Sequence, residues 1–174
     1  ITSYLDATGV IPHNMTNDYM FRIILQERKE VLIALICALL HMKASEVLEV
    51  EILNPIKLGE NIDDKEFMLD VNVRLNNNTF INLEMQVVNS HNWVDRSLSY
   101  LCRSYDQLYH GQDYMEALPA IHIGFLDFTL FKEHEEFYGI YKMYNKKDHY
   151  LFSDKLTLGV VDLTHIELAT QEDK

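Results

Sequence analysis

Apolar and polar residues alternate along two neighbouring stretches of the chain, and this pattern predicts a β-hairpin between residues 66 and 88. The apolar set takes the odd-numbered positions: Leu69, Val71, Val73, Leu75, Ile81, Leu83, Met85 and Val87. The polar set takes the even-numbered positions: Asp70, Asn72, Arg74, Asn82, Glu84 and Gln86. The asparagine run between the two stretches has strong turn chemistry.

The length of that turn decides which residues face each other. With a three-residue turn, Leu75 faces Thr79 and Asp70 faces Glu84. A two-residue turn would instead pair Asp70 with Met85, which would mix core positions with polar ones. The pattern therefore favours the three-residue turn.

Two opposed carboxylates repel each other unless something neutralises them. A hard divalent cation would do so, and Mg²⁺ typically takes one or two carboxylates and leaves its other positions to water and phosphate oxygens. Gln86 lies on the same face as Glu84 and is a candidate to orient a water molecule. A second interpretation needs no metal: the polar residues form an outer face, and one carboxyl is protonated or screened by water.

The remaining periodicity predicts two helices before the hairpin and one after it, with further strands on both sides. The first helix is capped by Thr16 or Asn17. The core order is therefore helix, three strands, helix, strand, and two more strands extend the sheet. The predicted helices cover 17–27, 30–42 and 92–110, and the predicted strands outside the hairpin cover 47–54, 119–127, 137–144 and 155–163.

The helix over 92–110 has two distinct faces. Its apolar face consists of Val94, Leu98, Leu101, Tyr105 and Leu108. A polar stripe beside it consists of Arg96, Tyr100, Arg103 and Gln107. Because this helix directly follows the strand of Glu84, Arg96 is a candidate phosphate ligand. An ordinary solvated face remains the alternative.

Net charge opposes a nucleic-acid-binding role. The chain carries 15 Lys and Arg against 27 Asp and Glu, for a formal charge of −12, whereas nucleic-acid binding depends on basic groups that neutralise phosphates. Binding DNA would therefore require a local basic patch. The candidates are Arg22, Arg96 and Arg103 near the site, or Lys142, Lys146 and Lys147 on the last hairpin.

Size and composition predict one domain over 1–174, and the start at Ile indicates a fragment of a longer chain. The apolar run at 31–40 is shorter than the roughly 20 residues that span a bilayer, so no membrane association is expected. Two cysteines and no signal peptide favour a reducing, cytoplasmic setting. The histidines lack zinc-site spacing, and there is no glycine-rich phosphate loop or nucleophile elbow.

The strings LDVNVR and INLEMQ resemble the second and third motifs of the PD-(D/E)XK nucleases. With Gln in the last position they resemble the recombination-promoting nuclease (Rpn) family, also described as PD-(D/E)XK nuclease-family transposases. NDYMFRIIL resembles that family's N-terminal D-x-x-F helix, and RSLSYLCRSYDQLYHGQDY its R-x-x-x-Y helix. LPAIHIGFLDFTLF resembles the buried strand that follows.

This resemblance implies an α/β (α+β) fold with a restriction-endonuclease-like core of order α-β-β-β-α-β, plus additional C-terminal strands. It implies a DNA endonuclease in which Asp70 and Glu84 bind Mg²⁺, or Mn²⁺, and a metal-activated water hydrolyses the phosphodiester bond. Gln86 would be the third motif residue and Asp18 an acidic residue from the first helix. The implied role is DNA breakage in recombination or mobile elements, with a homodimer favoured for double-strand cutting.

One departure from the broad superfamily is Gln86, which stands where most members have Lys. A neutral amide can hydrogen-bond water or phosphate but cannot stabilise the transition state with a positive charge. This departure and the acidic charge leave open an alternative of a different class. In it the chain is a catalytically silent nuclease-fold domain that acts in protein–protein interaction or self-association.

Overall fold

The computed structural model describes residues 15–54, 70–171 and 173. Within these residues the helices and strands follow one another in the predicted order, and two further strands come last. The helices are α1 (Asp18–Glu27), α2 (Lys29–Leu39) and α3 (Trp93–Tyr105). The strands are β1 (Val50–Ile52), β2 (Val71–Leu75), β3 (Thr79–Gln86), β4 (Ala120–Leu126), β5 (Tyr138–Tyr144) and β6 (Leu151–Asp162). Short 3₁₀ turns lie at Ala44–Glu46, Tyr114–Glu116 and Leu163–Leu168.

The first two helices begin and end for local reasons. The side chain of Asn17 caps α1 by accepting a hydrogen bond from the backbone N–H of Met20 at 3.0 Å. Helix α2 ends at Leu39, short of the predicted 42, because His41 has a φ of 50°. A right-handed helix cannot continue through that backbone conformation.

The six strands form one mixed sheet in the order β1-β2-β3-β4-β6-β5. Strands β3, β4 and β6 run parallel, and the other neighbouring pairs are antiparallel. The last two strands extend the sheet, as the sequence predicts. Strand β1 is shorter than the predicted 47–54. Residues 66–69 of the predicted hairpin lie outside the described residues.

The predicted hairpin register is confirmed. Leu75 pairs with Thr79 and Val71 with Leu83, so the turn has three residues. Asn76 and Asn77 take positive φ values of 50° and 56° in it, a conformation that asparagine tolerates better than most residues.

The two faces of the sheet are covered by different helices. Helices α1 and α2 pack on the face that carries the odd-numbered hairpin residues, and together they form the main apolar core. The largest members of this core are Phe21, Leu25, Leu32, Ile36, Ile81, Leu83, Ile123 and Phe125. Helix α3 covers the opposite face, where Trp93 packs with Leu126 and Val160.

The polar face of β3 is therefore buried. Asn82 and Glu84 are each 3% exposed, and Gln86 is 8% exposed. The interpretation of these residues as a solvated outer face is wrong, because α3 covers the strand from that side. Buried polar side chains need partners, so the partners of these three residues determine what the site can do.

Helix α3 differs from its prediction in length and in the face it buries. It ends at Tyr105 rather than 110. Its buried residues are Trp93, Ser97 and Leu101, whereas Val94 and Leu98 are 42% and 48% exposed. A serine has no bulk to hold the helix away from the strands, so the helix rotates its small residue inward and leaves two apolar residues at the edge.

None of the helices in the described ranges combines the length and the apolar content that crossing a bilayer requires.

Candidate active site

Asp70 and Glu84 lie on the sheet face beneath α3. Asp70 directly precedes β2, and extending the observed register by one residue places it opposite Glu84. Both are buried, with 8% and 3% exposure. Burial raises the pKa of Glu84 to about 7, and although Arg96 opposes this shift, the carboxylates of Asp70 and Asp18 add to it. Asp70 and Asp18 are therefore each close enough to Glu84 to repel its negative charge.

Arg96 is the nearest cationic partner of Glu84. It lies in the first half of α3, and its Nη2 donates to Glu84 Oε1 while its guanidinium lies 5.6 Å from the Tyr100 ring centre. The sequence indicated Arg96 as a candidate phosphate ligand. In the structure its guanidinium contacts the carboxylate of Glu84. The polar stripe of α3 borders the site and also meets solvent, since Arg96, Arg103 and Gln107 are exposed and Tyr100 is half-buried.

Asn82 fixes the orientation of Asp70. Its Nδ2 donates to Asp70 Oδ2 and also to Asn72 Oδ1, the latter at 2.6 Å. Asn54 supports the same corner, since its Nδ2 donates to the backbone carbonyl of Asp70 at 3.1 Å. The sequence analysis placed Asn82 on the polar face and gave it no role. Its position two residues before Glu84 on that face was the signal that it could contact Asp70.

Three buried side-chain oxygen atoms at the site have no hydrogen-bond partner among the described residues: Asn82 Oδ1, Glu84 Oε2 and Gln86 Oε1. The Gln86 amide nitrogen donates to the Val88 carbonyl at 2.9 Å, which leaves its oxygen free as an acceptor. Acceptor oxygens without donors are the chemistry that a hard cation satisfies. The residues present therefore fit a divalent cation.

Few side chains at the site could bind such a cation. Across residues 15–54 and 70–171, no cluster of three or more His, Cys, Asp or Glu side chains is arranged to hold a metal ion. A cation here would accordingly be held by Asp70 and Glu84 and would complete its shell with neutral oxygens. Mg²⁺ is commonly bound in this way, by one or two carboxylates together with water or phosphate.

Helix α1 contributes two predicted residues, one turn apart. Asp18 lies in its first turn and acts on the pKa of Glu84, as described above. Arg22 is 7% exposed, donates to the backbone carbonyl of Asn54, and interacts electrostatically with Asp70. Its burial favours a role in holding Asp70 in place over direct contact with a phosphate.

Arg103 lies on the second half of α3, in the wall of a pocket of about 300 Å³ that also includes Asp70. Tyr100 and Gln107 of the same stripe line it too. The alternative basic patch at Lys142, Lys146 and Lys147 belongs to the β5–β6 hairpin, and strands β4 and β6 separate β5 from β3. The structure thus brings Arg22, Arg96 and Arg103 to the site and leaves the lysines apart.

His122 is a site residue that sequence reasoning missed. It is fully buried on β4 between the rings of Trp93 and Tyr100, and its Nε2 lies 3.5 Å from Glu84 Oε2. Burial lowers its pKa to about 4, and Arg96 adds to this effect. The ring is therefore neutral. Only the parallel register that pairs Asn82 with His122 brings it here, and no local pattern specifies that register.

A model of the PD-(D/E)XK nuclease family transposases matches residues 15–174. The chain belongs to this family. The resemblance seen in the motifs is thereby confirmed, and the six-stranded mixed sheet with its helices is consistent with a PD-(D/E)XK nuclease-like fold. Comparison with curated proteins and with solved structures gives no significant match.

Membership of the PD-(D/E)XK family indicates a nuclease-like function. Nucleases of this kind typically use divalent metals.

The raised pKa of Glu84 makes a testable prediction for the metal-free PD-(D/E)XK domain. The folded protein binds the Glu84 proton more tightly than the unfolded chain does, so stability is lost as pH rises from 4.5 to about 7. Glu84→Gln removes this loss. In chelator-treated protein we subtract the free energy of unfolding of wild type from that of Glu84→Gln. We expect this difference to be about 3 kcal/mol larger at pH 8 than at pH 4.5.

Urea denaturation at both pH values measures this difference. Glu133→Gln, at an exposed position, is the matched control and should differ from wild type by the same amount at each pH. A stability difference for Glu84→Gln that does not change with pH would contradict the prediction.

Proposed function

We propose that this protein is a Mg²⁺-dependent endodeoxyribonuclease, with Mn²⁺ as a substitute, that hydrolyses phosphodiester bonds. The observation that carries the proposal is the Asp70–Glu84 pair, buried face to face beneath α3 with acceptor oxygens left open. DNA is the proposed substrate, and DNA breakage in transposition or recombination is the proposed role.

A bound divalent cation would supply Lewis-acid stabilisation of the phosphate and make a water molecule a better nucleophile. Asp70 and Glu84 would hold it. Asn82 keeps Asp70 in one orientation, and Gln86 offers its open oxygen to a water proton. Asp18 adds negative charge beside Glu84, which strengthens the attraction of the pair for a cation.

Arg96 has a second role in this proposal. It pairs with Glu84, and its side chain is 41% exposed, so its guanidinium can also reach a phosphate at the surface. Arg103 supplies another positive group in the neighbouring pocket. These residues provide the local basic patch that a chain with a net charge of −12 needs to approach DNA.

Metal binding can be tested without any assumption about activity. A ligand that binds the folded state raises stability by about 2.7 kcal/mol at one hundred times its Kd, which for a chain of this size is roughly 5–10 °C in Tm. We expect Mg²⁺ or Mn²⁺ to raise the midpoint of thermal unfolding and Asp70→Asn to abolish the rise. Asp154→Asn, at an exposed position on β6, is the matched control and should keep it.

The activity itself is tested by plasmid nicking. Wild-type protein should convert supercoiled plasmid to nicked or linear forms with Mg²⁺ or Mn²⁺ and should not do so with EDTA. Failure to cleave plasmid or oligonucleotide substrates with either metal would overturn the enzymatic proposal.

That failure would favour the alternative, a silent nuclease-fold domain that binds a protein partner or a second copy of itself. One observation supports it: the Arg96 guanidinium pairs with Glu84 and so competes with a cation for that carboxylate. Size-exclusion chromatography with light scattering would then be the next measurement, because self-association is the simplest form of this alternative.

A further inference from the structure

A polar pocket adjoins the Asp70–Glu84 pair. It lies between β2 and the second half of α3 and has a volume of about 300 Å³. The residues that matter for its chemistry are Asp70, Asn72, Asn82, Tyr100, Arg103 and Gln107. Since Asp70 belongs to both the pocket and the proposed metal site, a ligand in the pocket is adjacent to the reacting phosphate.

Two amides line the pocket, and each has a polar group that no described residue pairs. Asn82 turns its NH₂ group towards Asp70 Oδ2 and Asn72 Oδ1, because both of these atoms are acceptors. Its Oδ1 is consequently left buried with no partner in the described part of the chain. Asn72 uses its own Oδ1 to accept from Asn82, so its NH₂ group remains available as a donor.

Aromatic and cationic groups complete the lining. Tyr100 on α3 and Phe80 on β3 both contribute to the pocket wall, and aromatic side chains are stacking surfaces for nucleobases. Arg103 is exposed and makes no ion pair with any residue in the described ranges. Gln107, just beyond the end of α3, adds an exposed amide at the rim.

We propose that this pocket binds the nucleobase of the nucleotide that adjoins the scissile phosphate. The inference rests on the proposed nuclease function. The base stacks against the aromatic wall, its polar edge meets the amides of Asn72 and Gln107, and Arg103 contacts the neighbouring backbone phosphate. A base can enter such a pocket only when it leaves the helical stack, so the preferred substrate is single-stranded DNA or duplex DNA with an unpaired nucleotide at the cut.

Two other prominent features of the molecule, an apolar groove and an Asp–His pair, lack the chemistry of a ligand site. An apolar groove lies between α3 and the β5–β6 hairpin, but it lacks groups that would select a ligand. The pair formed by Asp162 and His165 is satisfied locally, since Asp162 accepts from His165 Nδ1 at 3.0 Å and from the Thr164 backbone N–H at 2.9 Å.

Binding of mononucleotides tests the pocket independently of cleavage. Calorimetric titration with dAMP, dCMP, dGMP and dTMP in Mg²⁺ is compared with titration by deoxyribose 5-phosphate, which lacks the base. Stacking and hydrogen bonding should make at least one nucleotide bind roughly tenfold more tightly than the sugar phosphate. Gln107→Ala and Asn72→Ala should remove most of this preference, and Gln171→Ala, at an exposed C-terminal position, should retain it.

Gln107 is exposed, so its variant is expected to fold even if Asn72→Ala does not. Equal binding of all four nucleotides and the sugar phosphate would overturn the proposal, as would full retention of the preference in both variants. A protein that cleaves DNA but shows no base preference refutes the pocket alone. A protein that binds nucleotides through these residues but cleaves nothing refutes the nuclease function alone.

Discussion

Asp70→Asn is expected to lower the rate of DNA cleavage at least about a thousandfold while the fold is retained. Metal-assisted stabilisation of phosphoryl transfer contributes several kcal/mol to the transition state, and each 1.36 kcal/mol corresponds to about tenfold in rate. Asparagine has the same shape as aspartate and can still accept the hydrogen bond from Asn82. It lacks only the negative charge that a cation requires.

Single-turnover cleavage of a labelled oligonucleotide measures this loss, and circular dichroism checks the fold. Glu84→Gln should show a similar loss of cleavage. Asp154→Asn is again the matched carboxylate-to-amide control and should cleave like wild type. A rate for Asp70→Asn within tenfold of wild type would show that Asp70 does not hold a catalytic cation.

Gly124→Ala is expected to be the most disruptive small substitution in the sheet. A Cβ atom at this position would lie 2.2 Å from Trp93 Cζ2, well inside the contact distance of two carbon atoms. Trp93 is 2% exposed and begins α3, so it cannot move without shifting the helix that covers Glu84. Overpacking of this kind costs about 1–3 kcal/mol and sometimes more.

Urea denaturation gives the stability change, and a double-mutant cycle identifies its cause. Gly124→Ala combined with Trp93→Leu should be less destabilised than the sum of the two single variants, because the smaller side chain removes the clash. Gly111→Ala is a useful comparison, since nothing lies within 4 Å of a Cβ there and only its φ of 94° opposes the change. Additive effects of the Gly124 and Trp93 substitutions would contradict the steric explanation.

Local patterns were sufficient to predict the hairpin and its register. The strict alternation of apolar and polar residues, with three asparagines at the turn, permitted one pairing that kept the core face intact, and Leu75 does pair with Thr79. The start of α1 was equally predictable, because Asn17 caps it through its own side chain. In both cases the information lies within a few residues of the feature.

Long-range packing decided what the sequence could not show. The amphipathic pattern placed Val94 and Leu98 on the apolar face of α3, yet both are exposed and the small side chain of Ser97 is fully buried. His122 reached the site only through the parallel pairing of β3 with β4. The burial of the polar face of β3 also depends on a helix that follows later in the chain. None of these contacts leaves a signal in a local sequence window.

Strand β3 carries core residues on one face and polar residues on the other, so different selective pressures act on alternate positions of one short segment. Ile81, Leu83 and Met85 belong to the main apolar core, whereas Asn82, Glu84 and Gln86 point to the other side and contribute nothing to it. Substitutions in the second set would therefore remove the proposed catalysis and leave the apolar core intact. An inactive descendant of such a chain would look well folded, and its loss of activity would be visible only at alternate positions of this strand.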